Sequence, residues 1–280
     1  MATLKTSSPI TRRGAIGGLG ALFASGAWPG ALAAETSGIA PRTTAQPIRF
    51  VAANDFHHES PECDPWMEKL FRQIATTEKA AFCLGLGDLA NTGKRESLQA
   101  IQRLSSHAGM PFHPTPGNHD LDLSPIDGFY KEIFPNQRNY LVCHSGWQIV
   151  MIDSTEGTNY QNTTISPSTL DWLDKTLPTL DPLAPTILAT HFPLASDVRM
   201  CPLNANAVLA RFIGHNLRGV FGGHYHARTS SPRGDIRLLT NACVARVRDN
   251  HDGTREKGYL VVDGDARGGL TTSFVRFIGA

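Results

Sequence analysis

The chain has 280 residues, of which 41% are hydrophobic and 18% charged, and its formal net charge is +1. That length and apolar content support one sizeable core. The near-neutral balance excludes a polycation that tracks nucleic acid, so no stable nucleic-acid partner is expected. Lys5, Arg12 and Arg13 all precede residue 34, where no acidic residue occurs, and the remainder carries 23 basic and 25 acidic side chains.

Residues 1–33 read as a leader. Thr11-Arg12-Arg13-Gly14-Ala15-Ile16 precedes a weakly hydrophobic Gly/Ala-rich stretch, and Ala31-Leu32-Ala33 offers small residues to a leader peptidase. Cleavage is expected before Ala34. The apolar run is short of the ~20 residues of a spanning helix, which disfavours an uncleaved anchor. The paired arginines resemble a bacterial twin-arginine signal, with Ala15-Ile16 where such signals usually carry Phe or Leu. The resemblance implies passage through the twin-arginine translocation machinery and a periplasmic or otherwise exported protein. Residues 34–47 are Thr/Ser/Pro-rich and predict a flexible lead-in; the domain is expected over 48–280.

Ile48 to Ala53 predicts the first core strand. Asp64-Pro65 is a cap followed by proline at the first helical position, and Met67, Leu70, Phe71 and Ile74 trace one helix face. Ala81 to Leu86 predicts a strand, and residues 95–106 a helix with Leu98, Ile101 and Leu104 inward. Residues 110–115 lead to a turn at 116–120. The first half thus reads strand, turn, helix, as in an α/β sheet with function at the carboxyl ends of its strands. Residues 121–139 predict an irregular excursion. A hairpin follows through Ser145-Gly146, joining Tyr140–Val142 to Trp147–Ile152. Ser166-Pro167 caps a helix carrying Leu170, Leu173 and Leu177; Thr186 to Ala189 is a strand. Val208, Leu209, Phe212 and Ile213 mark a helix and Leu217 to Phe221 a strand. From about 235 the pattern predicts hairpins closing a second sheet, with Gly-rich turns at 263–269. Among the five cysteines, Cys83 and Cys143 lie in apolar runs and are expected to be buried, while Cys63, Cys201 and Cys243 leave a disulfide open.

Five blocks rich in metal ligands end or follow these runs: Asp55-Phe56-His57, Gly87-Asp88, Gly117-Asn118-His119-Asp120, Thr190-His191 and Gly223-His224-Tyr225-His226. Asp-x-His and His-x-His put both side chains on one side of an extended segment. Each block alone is ordinary surface sequence; the conjunction at successive strand ends is not. Two ions ~3.5–4 Å apart need a bridging carboxylate and neutral imidazoles, which leave net positive charge for a phosphate. Asp55, His57, Asp88, Asn118, His191, His224 and His226 supply such a set, and its N/O chemistry without thiolates suits Mn, Fe, Zn or Co as divalent or mixed-valence ions.

The ordered set from Asp55 to His226 resembles the calcineurin-like metallophosphoesterases over residues 48 to 260. The resemblance implies a four-layer α/β sandwich, two mixed sheets flanked by helices, with a binuclear metal site at one edge. It implies Asp55, His57 and His226 on the first metal, Asp88 bridging, Asn118, His191 and His224 on the second, and His119 steering the phosphate or protonating the leaving oxygen. Asn91 stands where many relatives place an Asp that orients this histidine, and Asp120 is a candidate substitute. The same Gly-Asp block, Gly87 to Asn91, lacks the tyrosine of purple acid phosphatases. The chain therefore resembles more closely the bacterial cyclic-nucleotide and glycerophosphodiester phosphodiesterase branch. Gly146-Trp147 and Leu170-Asp171-Trp172-Leu173 also look like features of the phosphodiesterase and acid-phosphatase branches.

The expected chemistry is hydrolysis of a small phosphodiester, with hydroxide held by the metals attacking phosphorus in line with the leaving group. No G-x-S-x-G nucleophile motif competes. The alternatives are a non-specific phosphomonoesterase, a non-catalytic metal-dependent binding protein and a nuclease. Residues 58–66, 121–139 and 154–165 are the candidate rims of a substrate groove. His58 reads as a surface or phosphate-facing histidine, and Arg228 as a solvated or substrate-facing arginine.

Overall fold

The computed structural model describes residues 44–121 and 128–279. The expected leader, most of the lead-in and part of the 121–139 excursion lie outside them. At the end of the lead-in Ala45 is buried and Gln46 is tethered through its backbone: its N–H donates to Ser145 O at 2.9 Å, and Trp147 Nε1–H donates to its carbonyl at 3.0 Å.

Among the described residues, eleven strands form two mixed sheets. In the first, β1 (Ile48–Ala53), β2 (Cys83–Leu86) and β3 (Phe112–Thr115) run parallel, and the hairpin β10 (Lys257–Gly264) and β11 (Leu270–Phe277) adds antiparallel to β1, giving the order β11-β10-β1-β2-β3. The second contains β4 (Tyr140–His144), β5 (Trp147–Met151), β6 (Thr186–Ala189), β7 (Leu217–Gly222), β8 (Thr229–Arg233) and β9 (Ile236–Thr240), in the order β4-β5-β6-β7-β9-β8. Here β5, β6, β7 and β9 are parallel, and β4 and β8 are antiparallel edges.

Alternation along each strand builds the layers, because successive side chains face opposite sides. Phe50 and Ala52, Leu84 and Leu86, Ile149 and Met151, Ile187 and Ala189, with Phe221 and Leu239, share one core between the sheets. Their neighbours Val51, Ala53 and Cys83 face a second core. That core is made with α1 (Asp64–Thr77), α2 (Arg95–Ser105) and α3 (Gly128–Ile133). Val150, Leu188, Val220 and Leu238 face a third, against α4 (Pro167–Thr176) and α5 (Ala205–Arg211). The result is the expected four-layer α/β sandwich. No helix among the described residues is long and apolar enough to cross a membrane.

Helix faces follow the sequence closely. Met67, Leu70, Phe71 and Ile74 of α1 and Leu98, Ile101 and Leu104 of α2 are all buried. Ser166 Oγ accepts the Thr169 N–H at 3.2 Å, so the expected cap of α4 forms.

Four expectations need correction, and the open question of a disulfide is answered. The excursion at 121–139 contains α3. The final hairpin joins the first sheet through β1, not the second, because long-range pairing is not encoded in local alternation. Ile213 lies beyond α5 and is exposed rather than on its buried face. Cys143 is exposed because it sits on edge strand β4, where one face is uncovered. All five cysteines are free thiols, so no disulfide joins Cys63, Cys201 and Cys243.

Candidate metal centre

Each ligand block follows the carboxyl end of a parallel strand. Asp55 and His57 follow β1, Asp88 follows β2 and Asn118 follows β3; His191 follows β6, and His224 and His226 follow β7. The two sheets therefore deliver their ligands to one edge of the sandwich. Two groups of ligand atoms form there, Asp55, His57, Asp88 and His226 in one and Asp88, His191 and His224 in the other, all buried. Asp88 belongs to both.

The turns that carry the ligands are tight. Asp55, His57, Asp88, His224 and His226 all have positive φ, between 45° and 62°. Backbone in this region is unfavourable for side chains with a Cβ and is characteristic of functional sites. Gly87 also has positive φ, at 79°, and a Cβ there would enter the His191 ring; a Cβ on Gly117 would collide with Asp88. These two glycines let the strand ends approach one another.

Hydrogen bonds fix which nitrogen His191, His224 and His226 present. His191 Nδ1 lies 2.9 Å from Leu86 O, and His226 Nδ1 lies 3.0 Å from Asp249 O. His224 Nε2 lies 2.8 Å from Tyr160 O. A carbonyl only accepts, so each of these nitrogens carries a proton and the other nitrogen is the one presented to the site. Those presented nitrogens converge. His191 Nε2 is 3.2 Å from His224 Nδ1 and 3.2 Å from Asn118 Oδ1. His226 Nε2 is 3.2 Å from His57 Nε2 and 3.0 Å from Asp55 Oδ1. Asp55 Oδ2 is satisfied by Asn54 Nδ2 and the His224 N–H, while Asp55 Oδ1 is buried without a donor. Asp88 directs Oδ1 toward His191 Nε2, at 3.4 Å, and Oδ2 toward His57 Nε2, at 3.6 Å. Ligand atoms that converge in a buried site are held by cations, protons on His191 and His226 in the bare protein or metal ions in their place, so the donor set fits two metal ions sharing Asp88.

The charges of the bare site agree. Burial opposes ionisation of Asp55 and Asp88, but the imidazoles around them hold both carboxyls below the ordinary range. Burial lowers His191 and His226 as well; the carboxylates Asp88 and Asp55 outweigh it and hold them at about 9 and about 11. For His57 and His224 burial wins and the rings fall to about 3 and about 4.

His119 stands at the rim of this centre, half-buried, with its ring 4.9 Å from that of His57. Its backbone N–H donates to Asp88 Oδ1 at 2.9 Å, and Nδ1–H donates to the main-chain carbonyl of Asn91 at 2.8 Å. Orientation of the ring thus comes from the backbone of residue 91 rather than its side chain. Asp120 is no substitute. Its carboxylate accepts the N–H groups of Ala90 and Gly117, at 2.7 and 2.8 Å, and pins the turn. Burial, reinforced by the charge of Asp88, pushes the Asp120 carboxyl up to about 7.

A cavity of about 300 Å³ opens above the ligands, lined by His57, Asp88, His119, His224 and His226 and by Tyr160, Met200, Arg248 and His251. A second, of about 400 Å³, lies beyond His119 and shares His119, Tyr160 and Arg248 with the first. Of the expected rims, Thr158 and Tyr160 in 154–165 and Leu121 line this groove. His58 does not: it is buried, and its Nε2 lies 2.7 Å from Asp64 Oδ1, at the start of α1. Arg228 stacks on Phe274 and pairs with Glu256. Tyr160 falls in an expected rim, whereas Met200, Arg248 and His251 carry no signal in the sequence, since each sits on a loop without a motif.

Fold and site together define an α/β sandwich that gathers the donor set for two metal ions at one edge. The calcineurin-like phosphoesterase family model matches residues 48–228, and the chain belongs to that family. It is similar to a 3',5'-cyclic-nucleotide phosphodiesterase of Nostoc sp., with 27% identity over 161 residues, 55% of this chain and 58% of that one. The match thus spans less than two thirds of that relative. Among solved structures it resembles GAP50, the anchor in the inner membrane complex of Plasmodium, with a TM-score of 0.61, 16% identity and coverage of 84% of this chain and 86% of the other. It also resembles a purple acid phosphatase from yellow lupin seeds, with a TM-score of 0.60, 10% identity and coverage of 84% and 52%. At these identities the structural likeness shows a common fold.

Proposed function

We propose that this phosphoesterase hydrolyses a small phosphodiester. Two observations support that reading: the groove has two connected lobes meeting at His119, and the Nostoc relative is named for diester hydrolysis. A diester phosphorus carries two organic substituents, and a two-lobed groove gives each a direction. Asp55, His57, Asp88 and His226 would hold one ion, and Asp88, Asn118, His191 and His224 the other. When bound, such ions supply Lewis acidity to phosphate oxygens and lower the pKa of water.

The chain's own groups do the rest. His119 Nδ1–H is committed to the Asn91 carbonyl, so Nε2 is the atom that faces the leaving oxygen, and as the imidazolium the ring would give it a hydrogen bond or a proton from there. The left-handed turns hold the ligands in place before substrate arrives. The leader-like residues 1–33, with Arg12-Arg13, support export by the twin-arginine route and action outside the cytoplasm.

The test is kcat/KM for bis(p-nitrophenyl) phosphate against p-nitrophenyl phosphate. The protein is loaded separately with Mn, Fe, Zn and Co, with Asp88→Asn as the blank. A diester preference above ~100-fold, about 2.7 kcal/mol of differential transition-state stabilisation, is expected. A monoester preference would make the chain an exported phosphatase instead.

A further inference from the structure

Arg248 is the unusual residue of the groove. It lies on the loop between β9 and β10 and lines both lobes. Among the described residues it pairs with no carboxylate. Its Nε and Nη2 both donate to one neutral oxygen, Asn91 Oδ1, at 2.9 and 2.7 Å. The nearest acid in this network, Glu59, is on the other side of that amide, accepting from Asn91 Nδ2 at 3.2 Å. The peptide of Arg248 is also anchored, because Lys257 Nζ donates to its carbonyl.

Asn91 therefore organises two groups. Its main-chain oxygen orients the His119 imidazole, and its side-chain oxygen orients the Arg248 guanidinium. An aspartate at 91 would hold the guanidinium equally well but would neutralise it. The amide fixes direction and leaves the positive charge intact. A fixed guanidinium with unused N–H donors, beside a centre that draws in phosphate, matches the geometry of a phosphate oxygen.

From this we infer that Arg248 binds a non-bridging oxygen of the phosphate undergoing hydrolysis, and that Asn91 is the positioning residue that aims Arg248 without setting a carboxylate against it. The assignment rests on the phosphoesterase reading of the same site, but not on the choice between diester and monoester.

The test uses the full chain loaded with metal, and compares wild type with Arg248→Ala, Arg248→Lys and Asn91→Asp. Metal content is measured first and should be equal in all four. Calorimetry then gives Kd for inorganic phosphate, and kinetics give KM and kcat for p-nitrophenyl phosphate and its bis ester. Arg248→Ala should raise the phosphate Kd about tenfold or more, with Arg248→Lys between it and wild type. Asn91→Asp should weaken phosphate in the same direction as Arg248→Ala although the arginine is still present, a result that loss of packing alone does not give. If Arg248→Ala and Asn91→Asp both bind phosphate within twofold of wild type, the inference is overturned. Failure of the diester reading would show separately, in the ratio of the two esters for wild type.

Discussion

Asp88 is the residue on which the centre turns, because it alone offers an oxygen to each ligand group. Asp88→Asn keeps its volume but replaces one acceptor with an NH₂ that faces lone pairs. We expect elemental analysis to find fewer than two metals per chain, and kcat/KM to fall by ~10³ or more, about 4 kcal/mol of transition-state stabilisation. His119→Ala makes a useful contrast. The side chain is no metal ligand in either group, so both metals should remain while kcat drops ~10²–10⁴-fold. Protons compete with the metals in a residue-specific way. His226 and His191, held at about 11 and about 9 by the carboxylates that outweigh their burial, carry protons at neutral pH in the bare site. Their Nε2 atoms must lose those protons to become ligands. His57 and His224, lowered to about 3 and about 4 by burial, are already neutral and add nothing. Apparent metal affinity should therefore rise with pH between 6 and 8, by up to two protons released per centre filled. Chelator competition across that range measures the slope, and a flat profile would contradict the charge assignment.

At the scale of the element, the turn after β3 shows how a carboxylate is used for architecture. Asp120 takes the N–H groups of Ala90 and Gly117, tying the turn that carries Asn118 and His119 to the one that follows Asp88. Asp120→Ala would leave two buried donors unpaired, at about 1–3 kcal/mol each. A lower Tm is expected, together with weaker metal binding and lower kcat, because Asn118 and His119 both ride on that turn. A normal Tm with normal turnover would show that the turn holds without it. The same turn marks how far sequence reaches. Gly117 to Asp120 was legible as a ligand-bearing turn because its residue types are rare in combination and follow an apolar run. Which atom orients His119 was not, since the donor–acceptor choice between Asn91's backbone and side chain depends on how two loops meet. Strands such as Thr186–Ala189 were legible for a local reason, an uninterrupted apolar run bounded by turns. The final hairpin was legible as a hairpin but not as a partner of β1, some 210 residues away in the chain. Residues 128–133 make too short a helix for periodicity to reveal, and Arg248 belongs to a loop whose residue types signal nothing until it folds over Asn91.

On the scale of the molecule, the metal centre is where the two sheets are tied together. The first sheet supplies Asp55, His57, Asp88 and Asn118, and the second supplies His191, His224 and His226. Either group of ligands draws on both sheets, so no ion is held by one layer alone. The left-handed turns and the burial of so many ionisable groups are costs that the bare protein carries and the ions offset. Metal removal should therefore lower the stability of the whole fold and not merely silence the site. At a free concentration 100-fold above Kd, one filled site contributes about 2.7 kcal/mol to folding. For a domain of this size each kcal/mol moves Tm by ~2–4 °C, so removal of one ion should lower Tm by ~5–11 °C and removal of both by more. Differential scanning calorimetry before and after EDTA, and again after metal is restored, measures the shift. Asp88→Asn separates the cause, because a protein that cannot hold the pair has little left to lose to the chelator. An equal EDTA shift in that variant would place the stabilising ions elsewhere in the molecule, and the strand ends of the two sheets would then be joined by packing alone.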